Sequence, residues 1–158
     1  MTALLVFIVA FVGMEGVSYC THRFVMHGPG YKIHADHHRP SDGGFEANDL
    51  YPLSFSSLAI VFFALGAWVN GMGLFLYAGL GLTLYGVLYL FVHEIYIHQR
   101  LRLINRPLPY LEWLRRAHRV HHLYGGEPYG MLFPVVPPEL WQRAARTTRN
   151  PLARPAAS

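Results

Sequence analysis

GLFLYAGLGLTLYGVLYLFV, residues 73–92, runs for twenty positions without a formal charge, and HEIYIH, residues 93–98, follows it at once. A helix of about 20 apolar residues is long enough to cross the roughly 30 Å hydrocarbon core of a bilayer, and it satisfies its own backbone N–H and C=O groups on the way. The two histidines that close the run therefore stand where it leaves the membrane. Residues 2–21 and 53–71 are runs of the same kind; the first carries Glu15 as its only formal charge and the second carries none. A cleaved signal peptide does not suit the first run, which has no basic residue ahead of it and no small-x-small site behind it.

Composition agrees with this reading. Of 158 residues, 53% are hydrophobic, 15% aromatic and only 14% charged, so too little polar material remains to wrap three all-round apolar helices inside a soluble shell. The fold expected is all-α: a single-domain integral-membrane helical bundle with three spans and a histidine-rich helical cap built from residues 22–52 and 93–158. The alternative is a fourth, half-inserted segment around residues 129–141, where Pro134, Pro137 and Pro138 argue against a regular crossing. The tail from 143 to 158 lacks periodicity and is expected to be loosely ordered.

All 13 Lys and Arg residues fall in two regions, Arg23 to Arg39 and Arg100 to Arg154. The positive-inside rule places both on the cytoplasmic side of an inner or plasma membrane, with the N-terminus and the Asn70-Gly71-Met72-Gly73 turn opposite. The net charge of +4 thus reports topology, and with the aromatics concentrated in the spans it gives no nucleic-acid surface. Arg115, Arg116 and Arg119 instead suit anionic membrane lipid or an acidic electron-transfer partner. Cys20 is alone, which excludes an intrachain disulfide and any cysteine-based metal site.

Ten histidines form four clusters: His22 and His27; His34, His37 and His38; His93 and His98; His118, His121 and His122. H-x-x-x-x-H followed by H-x-x-H-H thus occurs twice, once in each cytoplasmic region. On a helix the triplets put their rings on one face. The pairs do not: five residues at 3.6 per turn leave the rings about 140° apart, so either the helix is deformed there or the two members serve different metals. Gly28-Pro29-Gly30 ends the helix after His27, and a frayed end or π-bulge would swing His98 inward. Runs 2–21 and 73–92 end at the same membrane face, so the clusters can converge. Ten imidazoles exceed the needs of one ion and imply two. A structural zinc site usually takes four ligands, and a haem takes one or two axial ones.

In this order and spacing the motifs resemble the fatty acid hydroxylase superfamily of membrane oxygenases. HRFVMHG, FEANDLY, HEIYIHQR and AHRVHH resemble, within it, the bacterial β-carotene 3-hydroxylase family. The resemblance covers roughly residues 22–122. It implies a non-haem di-iron centre held by the ten histidines, dioxygen as co-substrate, a reduced ferredoxin-type donor, and hydroxylation of the β-ionone rings of a carotenoid drawn from the bilayer, β-carotene to β-cryptoxanthin to zeaxanthin. Imidazole suits zinc as well, so purified protein can carry the wrong ion. The chain departs from the family pattern at Leu101-Arg102-Leu103 and, lacking a cysteine, at residues 130–138.

Several other residues are candidates for supporting roles. Glu15, seven residues before His22, shares its helical face, and an ionisable group inside a span is functional by default. Asp36 and Glu94 point about 100° off their neighbouring histidines, which favours orienting over ligation. Asn48 and Asp49 stand ready to cap the second span or to orient a ring. Tyr85, Tyr89, His93 and Tyr96 step along one face of the third span, and Gly81 opens space beside them, a reading as substrate channel that competes with plain helix packing. A carotenoid ketolase or a lipid or sterol desaturase would share the metal chemistry. A non-enzymatic metal transporter would need polar groups at mid-membrane, where only Glu15 is found.

Overall fold

The computed structural model describes residues 1–39, 44–101, 103–104 and 106–153. It is all helical. Helix α1 (Thr2–Cys20) continues without a break into a π-helical segment, Thr21–Met26, and after a turn into the single-turn α2 (Tyr31–His34). A 3₁₀ turn, Ala47–Asp49, leads into α3 (Leu50–Trp68), and a short reversal leads into α4 (Leu74–Tyr89), which again continues as a π segment, Leu90–Ile97. Helices α5 (Pro109–Tyr124) and α6 (Pro138–Ala145) complete the chain.

Three stretches are long and apolar enough to cross a membrane: Thr2–Met26, Ala47–Trp68 and Leu74–Ile97. The protein is therefore a membrane protein, in which α4 packs between α1 and α3. Burial is inverted relative to a soluble domain. Leu5 and Val9 on α1 are each 61% exposed, whereas Val120 and His121 in the head are 0% exposed. Apolar side chains face outward because their solvent is lipid, and the true core lies in the head, where Val92, Tyr96 and Ile97 meet Leu114, Met131 and Leu152.

Local chemistry sets the ends of these elements. Pro109 occupies the first turn of α5, where its missing N–H costs nothing, with Glu112 also in that turn. Gly125, at φ +66°, ends α5 in the left-handed conformation and returns its N–H to the His121 carbonyl at 2.7 Å. Glu46 and Asp49 cap the 3₁₀ turn ahead of α3 reciprocally, each side chain accepting the other's backbone N–H.

Two expectations change. Residues 143–153 are not loose: the Arg119 guanidinium donates to the carbonyls of Ala144, Thr147 and Arg149, and Leu152 joins the core. Arg119 is thereby occupied as an internal clamp, although the sequence suggested a docking cation. The rest of that tail, residues 154–158, lies outside the described residues. Between α5 and α6 the segment around Tyr129 to Pro137 is irregular, so among the described residues only three helices are long enough to span.

Candidate metal centre

Each H-x-x-x-x-H pair has its first histidine in a π segment and its second, His27 or His98, as the residue that caps it. The His27 N–H reaches the His22 carbonyl at 3.0 Å and the His98 N–H reaches the His93 carbonyl at 2.9 Å, in each case five residues back. A π turn closes over five residues and so cancels the 140° splay that a regular helix would impose. The deformed helix is the correct alternative, since both members of each pair face one cluster. Gln99, at φ +52°, then turns the chain so that the Arg100 N–H returns to the Glu94 carbonyl at 2.9 Å.

The rings gather into two adjoining nests. In the first, one nitrogen each from His22, His27, His34, His38 and His121 lie within 4.8 Å of one another; in the second, His37, His93, His98 and His118 do the same. His122 reaches the second nest through His118, Nε2 to Nε2 at 2.9 Å. Each H-x-x-x-x-H pair keeps the first and last histidines of its own triplet and receives the middle one, His121 or His37, from the other copy. The triplets therefore do not act as single chelating faces: each feeds both nests, and the first is helical only as far as His34, continuing as turns.

Within the nests the Nε2 atoms face one another at 3.0 to 3.1 Å: His34 to His38, His27 to His121, His37 to His93, His98 to His118. Donors about 2.1 Å from a common ion sit about 3.0 Å apart at a 90° bond angle and about 3.4 Å apart at the tetrahedral angle, so these pairs lie at the spacing of donors that share an ion. His22 Nε2 is buried without a hydrogen-bond partner, as a donor awaiting an ion would be. The residues present thus fit metal binding.

The opposite ring nitrogens fix that orientation. Nδ1–H of His22 donates to the Tyr129 carbonyl at 3.1 Å, that of His34 to Asn48 Oδ1 at 2.7 Å, and that of His121 to the Gly126 carbonyl at 2.6 Å. In the second nest Nδ1–H of His37 donates to Glu46 at 3.1 Å and that of His93 to Glu94 at 2.6 Å. A proton held on Nδ1 leaves the Nε2 lone pair pointing inward. Burial disfavours the charged form of seven of these rings: it pushes His37, His98, His118, His121 and His122 well below the ordinary imidazole range, His34 to about 4 and His38 to about 3.

Glu46 was missed from sequence, although it lies in the quoted FEANDLY segment; so was Arg100. Arg100 binds both oxygens of Asp49, at 2.6 and 2.8 Å, and Glu94 at 2.9 Å. Its pKa is raised, chiefly by the Asp49 hydrogen bond, so the cation persists. Asp36 makes no hydrogen bond to a ring among the described residues; it accepts the Ala47 N–H at 2.5 Å. Glu15 does not reach a histidine either. It accepts the Tyr85 hydroxyl at 2.7 Å and the N–H groups of Met131, Leu132 and Phe133.

A cavity of about 820 Å³ opens among the three spans, lined by Met14, Phe55, Ala59, Tyr85, Gly86 and Tyr89 and, near the head, by Glu94 and Arg100. Tyr89 stacks on His93 with ring centroids 4.7 Å apart, so the apolar space adjoins the second nest. Gly81 and Tyr96 do not line it. Gly81 is pressed against α1, where a Cβ would meet Ala10 and the backbone of Phe7 and Phe11. Tyr96, past the start of the π segment, leaves the 100° register and donates to Glu112 at 2.7 Å.

The sequence matches the profile of the fatty acid hydroxylase family over residues 7–139. It is 42% identical to the beta-carotene hydroxylase of Pantoea ananas over 79% of this chain and 70% of that one. It is 38% identical to that of Pseudescherichia vulneris over 86% and 79%. It is also 40% identical to the chloroplastic beta-carotene 3-hydroxylase of an Oncidium hybrid cultivar, over 76% of this chain and 41% of that longer one. No solved structure matches. Four histidine motifs in register, two nests of inward-facing nitrogens and a match over most of the chain make this protein a member of the fatty acid hydroxylase family.

Proposed function

We propose that this chain hydroxylates the β-ionone rings of carotenoids, converting β-carotene through β-cryptoxanthin to zeaxanthin, with two irons held by the ten histidines at the cytoplasmic edge of an inner or plasma membrane. His22, His27, His34, His38 and His121 hold one ion, and His37, His93, His98, His118 and His122 the other. The observation that carries the reading is the contact between a bilayer-level apolar cavity and a nest of inward-facing imidazole nitrogens through the Tyr89–His93 stack.

Iron bound in the nests supplies, with dioxygen and electrons from a donor, the oxidising power to break an unactivated C–H bond, which no side chain can do alone. The chain does the rest. The Nδ1 hydrogen bonds to Glu46, Glu94, Asn48 and the backbone lock the rings so that the donor set needs no rearrangement. Apolar walls keep water from the reacting carbon and admit a long hydrocarbon directly from lipid. Arg100, held by Asp49 and Glu94, closes the cavity's polar end. A reduced ferredoxin-type donor docks on the basic cytoplasmic face, where Arg116 is exposed.

Expression in a β-carotene-producing host tests the reading by pigment analysis. Hydroxylated rings support it; keto rings or unchanged β-carotene, from protein that binds iron, overturn it. Reduction by the donor is expected to slow as salt rises, and salt-insensitive reduction would remove the docking step.

A further inference from the structure

We propose that residues 130–135 form a re-entrant turn inserted in the lipid on the side of the membrane that carries the histidine head, pinned there by Glu15, with Phe133 and Val135 against acyl chains.

Depth is the first argument. Glu15 lies seven residues before His22 on a continuous helix, about 10 Å nearer the membrane centre at 1.5 Å per residue, and its Cβ leans further toward the N-terminus. Its carboxylate nevertheless accepts the N–H groups of Met131, Leu132 and Phe133 at 2.9, 3.0 and 3.0 Å. Tyr85, eight residues before His93 on α4, donates to the same carboxylate at 2.7 Å, so two spans independently place these atoms at one level. Tyr129, only two residues ahead of Met131, still sits at the level of the head, where its carbonyl accepts from His22. The chain therefore descends after Tyr129, and it must return to reach α6, whose Ala144 carbonyl is held by Arg119.

Satisfaction of polar groups is the second argument. Irregular backbone survives at membrane depth only where protein pairs its N–H groups, and a carboxylate survives only where donors surround it. Here each solves the other's problem. Gly130 permits the approach, since a Cβ there would stand 3.1 Å from Glu15 Oε1.

The side chains sort accordingly. Met131 joins the head core and Pro134 is buried, whereas Phe133 and Val135 are 70% and 80% exposed. Tyr110, also exposed, donates to the Leu132 carbonyl and carries the apolar rim onto the start of α5. Large apolar side chains held outward at the depth of a span have acyl chains as their natural contact.

The test uses the full chain in lipid vesicles, with Cys20→Ser as background and single nitroxide labels at Phe133→Cys, Val135→Cys, Val9→Cys as a lipid standard and Gln142→Cys as a water standard. Collision with oxygen relative to a water-soluble nickel complex is expected to be several-fold higher at 133 and 135 than at 142, and close to the value at 9. Values at 133 and 135 matching position 142 would overturn the insertion, whatever Glu15 does. Adding Glu15→Gln, which replaces one acceptor oxygen with a donor, is expected to move the label at 133 toward the water value; a label that stays in lipid would overturn the pinning.

Discussion

The two nests are assembled from copies of one motif and differ in what stands behind the rings. In the first, the outer nitrogens of His22, His34 and His121 donate to two backbone carbonyls and an amide, all neutral acceptors. In the second, those of His37 and His93 donate to carboxylates, Glu46 and Glu94, and Arg100 ties Glu94 to Asp49. A carboxylate behind an imidazole raises the basicity of the ligating nitrogen more than a neutral oxygen does. The second nest also adjoins the cavity through Tyr89. The difference teaches that a duplicated ligand set does not make equivalent sites; equivalence is decided one layer out.

The largest effects come from the histidines that cross between copies. His37→Ala and His121→Ala each remove a buried ring from the middle of a nest, and each is expected to abolish hydroxylation, a loss of at least about a hundredfold in product formation. Full turnover by either variant would break the comparison at its root. The next effect sharpens it: Glu94→Gln is expected to weaken metal binding at the second nest by about 10- to 100-fold and spare the first, whereas Asn48→Ala acts on the first. Equal losses at both sites from either variant would show that the outer acceptors do not distinguish them.

Leu114→Ala serves as a control on shared architecture. Leu114 is 1% exposed on the buried face of α5, which supplies rings to both nests, so the variant is expected to cost about 2–5 kcal/mol of stability without favouring either ion. The smallest effect is that of pH on metal-free protein. His34 and His38 are depressed from 6.5 to about 4 and about 3, so the unfolded chain binds protons that the folded chain refuses. Stability is then full above about pH 6.5 and falls as the pH drops from there toward 3, which thermal unfolding at pH 7.5 and pH 5 would register as a lower midpoint at pH 5. A higher midpoint at pH 5 would contradict the burial of neutral rings.

The spans and the ring clusters were legible in sequence because each follows from period and length alone. The misfit of H-x-x-x-x-H with 3.6 residues per turn left a deformed helix and a split between two metals as alternatives, and only the structure shows that both pairs use a π turn. The sorting of rings into nests was not legible. His118 and His121 lie three apart on one helix face, yet a face that fronts two nests feeds both, and the period cannot say where the boundary falls. Glu46 stands nine residues from His37, at no helical spacing. The Tyr129 and Gly126 carbonyls carry no residue identity to read. The backbone partners of Glu15 were hidden for the same reason, being N–H groups more than a hundred residues away.

The most direct test is the iron content of anaerobically reconstituted full-length protein, counted per chain for the unaltered sequence, His121→Ala and His37→Ala. Separate loss of one of two ions in each variant, with the other retained, is the expected result. A single ion in the unaltered protein, or iron content untouched by both substitutions, would contradict it.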